Sequence, residues 1–104
     1  MWLFRKPTIE ETKNKAFVYY ISTSGRKNLM EKFSKVEGWR IKSWKEEFSL
    51  IINEIEKIVE ENKKFDYENF IPRISASYPF MNKKSLNKAG WYGAYFAWRQ
   101  GYSK

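Results

Sequence analysis

Neither cysteine nor histidine occurs in the 104 residues. Without cysteine no disulfide forms, so nothing in the chain implies an oxidising compartment. With both absent, the usual zinc ligand sets are excluded. A cysteine nucleophile, a histidine general base and a Ser-His-Asp triad are excluded on the same ground. Long apolar runs are missing too: none approaches the ~20 residues that a membrane-crossing helix needs. The opening Met1-Trp2-Leu3-Phe4-Arg5-Lys6 puts apolar residues ahead of charge, the reverse of a secretory signal. A cytoplasmic protein is therefore expected.

Acidic residues are scarce as well, 12 against 20 Lys and Arg, for a net charge of +8. The excess sits at the two ends. Residues 1–40 hold nine basic and four acidic groups, residues 41–65 five and six, and residues 66–104 six and two. Such a field favours a polyanion or an acidic protein face, with simple solubility as the plain alternative. Heavy use of Lys, Ile and Asn suggests AT-rich coding DNA, as expected of a low-GC bacterium or its mobile elements.

The element pattern is mainly α. The expectation is a single small helical domain over residues 1–104, built from four or five helices. Thr8 and Glu11 have the spacing of a capping box and start a helix in which Ile9, Ala16, Phe17 and Tyr20 share a face. Its second half is rich in β-branched and aromatic residues, so a short strand at 16–23 competes. A turn at Ser22-Thr23-Ser24-Gly25 leads to a short helix with Leu29, Met30, Phe33 and Val36 on one side, closed by Gly38. The clearest helix runs from Ser43 to Asn62, with Ser43 as its cap. Trp44, Phe48, Ile51, Ile52, Ile55, Ile58 and Val59 fill about a third of its circumference. Residues 65–82 read as irregular, with one turn begun by Asp66 and stopped by Pro72. Asn82 caps a last helix that reaches Tyr102.

That last helix carries the strongest signature in the chain, Gly90-Trp91-Tyr92-Gly93-Ala94-Tyr95-Phe96-Ala97-Trp98-Arg99-Gln100-Gly101-Tyr102. At 100° per residue Trp91, Tyr95, Trp98 and Tyr102 fall in one narrow stripe. Gly90, Ala94, Ala97 and Gly101 form a flat flank, and the sector near Gly93 and Gln100 suits water. A helix apolar nearly all round is buried or packed against two bodies. The stripe is accordingly expected in the core, leaving one or two rings such as Tyr92 exposed beside Arg99 and the Lys83, Lys84, Lys88 cluster. A membrane-surface role is disfavoured, because the run is too short to span and its cations gather at one end.

No spacing selects a catalytic set. The glutamates of the long helix lack the Asp/Asn/Gly loop of a calcium site, so neither metal nor cofactor is expected. Ser22-Thr23-Ser24-Gly25-Arg26-Lys27 could hold a phosphate through Arg26 and Lys27, or be only a capped turn, and it does not match the two-glycine phosphate loop. The expectation is a non-enzymatic basic binding protein. Nucleic acid would be gripped by Lys83, Lys84, Lys88, Tyr92, Arg99, Arg26 and Lys27. The alternative is a small regulator or inhibitor seated on an acidic surface of a larger, nucleic-acid-handling protein.

Ile55 lies near the centre of the apolar arc of the long helix. Ile55→Ala should cost about 2–5 kcal/mol in a urea melt. A loss below about 0.5 kcal/mol, the scale of a surface change, would take that face out of the core.

Overall fold

A computed structural model describes residues 7–22 and 28–102. Among them the chain forms five helices and no strand: α1 (Ile9–Ser22), α2 (Leu29–Lys32), α3 (Gly38–Asn62), α4 (Tyr67–Ser77) and α5 (Lys83–Arg99). The helical expectation holds. The strand competitor fails over residues 16–22, which are helical; residue 23 and the turn with Arg26 and Lys27 lie outside the described residues. The β-branched and aromatic residues of this stretch serve a helix because Ala16, Phe17, Tyr20 and Ile21 share one buried face. Packing of that face outweighs local propensity.

The start of α1 follows the sequence. The Glu11 amide donates to Thr8 Oγ1 at 3.0 Å and the Thr8 amide donates to Glu11 Oε1 at 2.7 Å, the reciprocal bonds of a capping box. Ile9 lies on the same face but is 48% exposed, contrary to expectation; burial in α1 begins at Asn14.

Gly38 does not close the short helix but opens the long one. α2 ends at Lys32, and α3 begins five residues before Ser43. The extra turn is held by Ile41, fully buried and two turns before Phe48 on the same face. At the new N-terminus the amides of Arg40 and Ile41 donate to the Glu37 carbonyl. The Glu37 carboxylate accepts from Arg40 Nε at 3.0 Å, and that bond pulls its pKa below the ordinary range. All seven residues of the expected arc are buried.

Residues 65–82 are not irregular. α4 spans eleven residues with Pro72 inside it. Proline removes one amide and pushes against the carbonyl four residues back. Here both Pro72 and that partner, Glu68, are exposed, so the defect lies on the solvent side of the helix and not in the core. Phe70 and Ile74, one turn apart and buried, hold the helix to the core across the defect.

Phe48 is the hub of the core. Its ring meets Phe17 at 5.3 Å and Tyr20 at 5.5 Å edge-on, and stacks with Trp44 and Phe80 at 6.5 and 6.4 Å. Each such pair adds about 0.5–1.5 kcal/mol beyond its buried area. α5 packs against α1, α3 and α4. A polar cluster fixes its first turn. Asn14 of α1, 4% exposed, donates through Nδ2 to the carbonyls of Glu10 and Phe80, each at 2.9 Å. Its Oδ1 accepts from the Asn82 amide at 2.8 Å and from Ser85 Oγ at 2.6 Å. Asn82 in turn caps α5 by accepting from the Ser85 amide at 3.0 Å. At the far end Tyr102 N–H donates to the Ala97 carbonyl and Gly101 N–H to the Trp98 carbonyl, with Gly101 at φ +78°. This is a Schellman ending, and its left-handed residue is where glycine avoids a Cβ clash. It stops α5 at Arg99, one turn before the Tyr102 expected from the sequence.

Gly93 faces inward. A Cβ built there would lie 2.8 Å from Phe65 Cε1 and 3.5 Å from Ile55 Cγ2. Alanine favours an isolated helix over glycine by about 1 kcal/mol, yet Gly93→Ala is expected to lower the melting temperature by at least about 4 °C, because the Phe65 ring must move. A raised melting temperature in calorimetry would show that the ring yields without cost.

Candidate functional site

The outer face of α5 reverses the sequence expectation. Trp91, Tyr95 and Trp98 are 49, 42 and 68% exposed. The buried face is instead Ser85, Ala89, Gly93 and Ala97, a small residue at every fourth position, with Gly90 beside it. At 100° per residue this small-residue row lies directly opposite the ring stripe. Large side chains from α3, α4 and the connection between them fill the space it leaves. Phe65 and Ile55 approach Gly93, and Tyr67 and Ile71 approach Gly90. The rings cannot occupy a face along which three helices already approach so closely.

Trp91 and Tyr95 lie nearly parallel, with centroids 6.0 Å apart and planes 9° apart; Tyr95 and Trp98 follow at 6.3 Å and 33°. Lys88 Nζ sits 4.3 Å from the Trp91 ring centroid, and the Arg99 guanidinium 5.9 Å from that of Tyr95. Each cation–ring contact at an exposed site is worth about 0.5–1 kcal/mol. The result is a ladder of three rings with one cation against its first ring, Trp91, and another beside its middle ring, Tyr95.

The other members of the stripe and its flank behave differently. Tyr102 turns inward after the Schellman ending. Its hydroxyl donates to Glu60 Oε1, which raises the phenol's pKa, while Lys63 Nζ lies 5.4 Å from its ring. Tyr92 is half-buried, not the exposed ring expected. Its hydroxyl donates to Glu56 Oε2 at 2.6 Å and ties α5 to α3. On the other side, Tyr67 donates to Asn87 Oδ1 at 3.0 Å and ties α5 to α4. These bonds make α5 a fixed platform for the exposed rings.

Of the cations expected here, Lys84 and Lys88 share the ring face, and Arg99 flanks it. Lys83 lies about 100° from Lys84 around the helix. Both Lys83 and Lys84 line an open groove of about 710 Å³ between α1 and the start of α5, with Lys15, Asn14 and Glu11 among its other walls. Arg26 and Lys27 lie outside the described residues. The structure thus brings Lys84, Lys88 and Arg99 to the face that also carries Trp91, Tyr95 and Trp98, the rings expected in the core. The four-residue spacing of Ser85, Ala89, Gly93 and Ala97 was the signal that marks the buried side.

Among the described residues no cluster of acidic side chains has the arrangement to hold a metal ion, and no helix is long and apolar enough to cross a membrane. No protein-family model matches the chain, and no curated protein or solved structure matches it.

Because the rings of Trp91 and Trp98 are half or more exposed, Trp91→Ala and Trp98→Ala should each cost no more than about 1 kcal/mol, the scale of the surface ring contacts they remove. Tyr92→Phe removes a part-buried hydrogen bond to a charged partner and should cost about 1.5–3 kcal/mol. Urea melts of the three variants check both; a costly Trp98→Ala would return the stripe to the core.

Proposed function

We propose that the chain binds single-stranded nucleic acid along the outer face of α5. One observation carries this reading: three exposed rings run in register along a rigid helix, with Lys88 and Arg99 against them and Lys84 on the same line. An aromatic platform stacks on unpaired bases whatever their identity, and the cations neutralise the backbone that connects them. Duplex bases are already stacked on one another, so exposed rings favour a single strand. A net charge of +8 draws the polyanion in. Contiguous exposed aromatic surface is uncommon on a protein that meets no partner.

Binding is by contact alone, without chemistry. Bases stack on Trp91, Tyr95 and Trp98. Phosphates meet Lys84, Lys88 and Arg99, and Lys83 extends the cationic surface into the groove beside α1.

The test is a salt titration of fluorescent single- and double-stranded oligonucleotides. Affinity for the single strand should fall with a log–log slope near −0.7 for each phosphate neutralised. Joint replacement of Lys83, Lys84 and Lys88 by alanine should flatten that slope by up to about two units. Trp98→Ala should weaken binding by about 1–3 kcal/mol and leave the slope nearly unchanged. Absence of binding at ~50 mM salt, where phosphate contacts are strong, would overturn the proposal. So would equal affinity for the duplex with no effect of Trp98→Ala.

A further inference from the structure

A second exposed apolar surface lies on α3, and none of its residues belongs to α5. Trp39, Leu50 and Met30 are 66, 61 and 51% exposed. They line one open groove of about 690 Å³ between α2 and the first half of α3, together with Lys42, Lys45 and Glu46. That volume is in the range of sites that receive a few side chains, about 300–1,000 Å³. Trp39 and Leu50 stand eleven residues apart, about three turns and 16 Å along one helix line. The spacing suits two anchor side chains of a helix laid along the groove.

Two features fix the chemistry of the occupant. Trp39 is held ready: the Arg40 guanidinium lies 4.6 Å from its ring and is itself held by Glu37 Oε1 at 3.0 Å. An exposed, braced tryptophan is the residue type that dominates binding energy at protein interfaces. Lys42 and Lys45 border the apolar floor, and among the described residues neither makes an ion pair. Glu46 is the single opposing charge, so the rim is net positive. A second copy of this chain would bring the same positive rim and a net charge of +8. An acidic partner meets attraction from both the rim and the whole field.

We infer that this groove docks a short amphipathic helix of a partner protein, with leucine- or phenylalanine-type anchors on one face and acidic residues beside them. The chain then presents two independent surfaces, rings and cations on α5 for a strand, and an apolar cleft on α3 for a protein.

The test uses two synthetic helical peptides with the same leucine and phenylalanine face. One carries glutamate at the flanking positions and the other carries lysine. Fluorescence anisotropy should show the acidic peptide binding at least tenfold more tightly than the basic one. Trp39→Ala should weaken it at least tenfold. A Cβ at Gly38 meets only Met30 Cε, at 3.9 Å, so Gly38→Phe fills the cleft without displacing the core. It should abolish peptide binding while thermal melting and oligonucleotide binding stay as in the parent. Trp98→Ala should leave peptide binding unchanged. Equal binding of the two peptides, no binding of the acidic one, or loss through Trp98→Ala would each overturn the inference. A concentration-dependent dimer abolished by Trp39→Ala would overturn it in favour of a second copy. Because the peptide arm uses no nucleic acid, its failure is separable from failure of strand binding.

Discussion

The arrangement of α5 depends on one buried amide. Asn14 has almost no access to water, so each of its polar atoms must find a protein partner. It finds four: the carbonyls of Glu10 and Phe80, the amide of Asn82 and the hydroxyl of Ser85. Three of those belong to the turn before α5 or to its first helical turn. The geometry is satisfied in one arrangement of α1 and α5, because an unpaired buried amide costs about 1–3 kcal/mol. A purely apolar contact would tolerate sliding or rotation. This polar contact fixes the rotation of α5, and with it the side on which the rings emerge.

Once that rotation is set, the row of Ser85, Ala89, Gly93 and Ala97 does the rest. Small residues let α5 approach its neighbours closely, and Phe65, Tyr67 and Ile55 supply the volume that the row lacks. The hydroxyls of Tyr92 and Tyr67 add fixed points to α3 and α4. The aromatic wealth of the helix is thereby divided. Tyr92 and Tyr102 brace it to α3, while Trp91, Tyr95 and Trp98 are displayed. Rings held on a rigid helix lose little entropy when a partner stacks on them, which is the advantage of a preorganised surface.

The α3 groove has the same construction in another place. Trp39 lies opposite the core face of its helix and is braced by Arg40 and Glu37 at the start of the same helix. In both surfaces a cation lies against an exposed ring, so the chain's basic excess and its 19% aromatic content are expressed together. A cation over a ring leaves that ring oriented, and its remaining charge is still available to an anion.

The sequence by itself determined that the chain is mainly helical, where α1 begins, the buried arc of α3 from Trp44 to Val59 and that Asn82 caps α5. Each rests on local chemistry: a reciprocal cap, a 3.6-residue apolar period, a side-chain acceptor one turn ahead. Only the tertiary structure decided which face of α5 is buried, that α4 persists through Pro72, and that α3 reaches back to Gly38. On a helix apolar nearly all round, the period allows either face to turn inward. The choice falls to the partners, here Phe65, Ile55, Tyr67 and Asn14, which are distant in sequence and meet α5 only when the chain is folded.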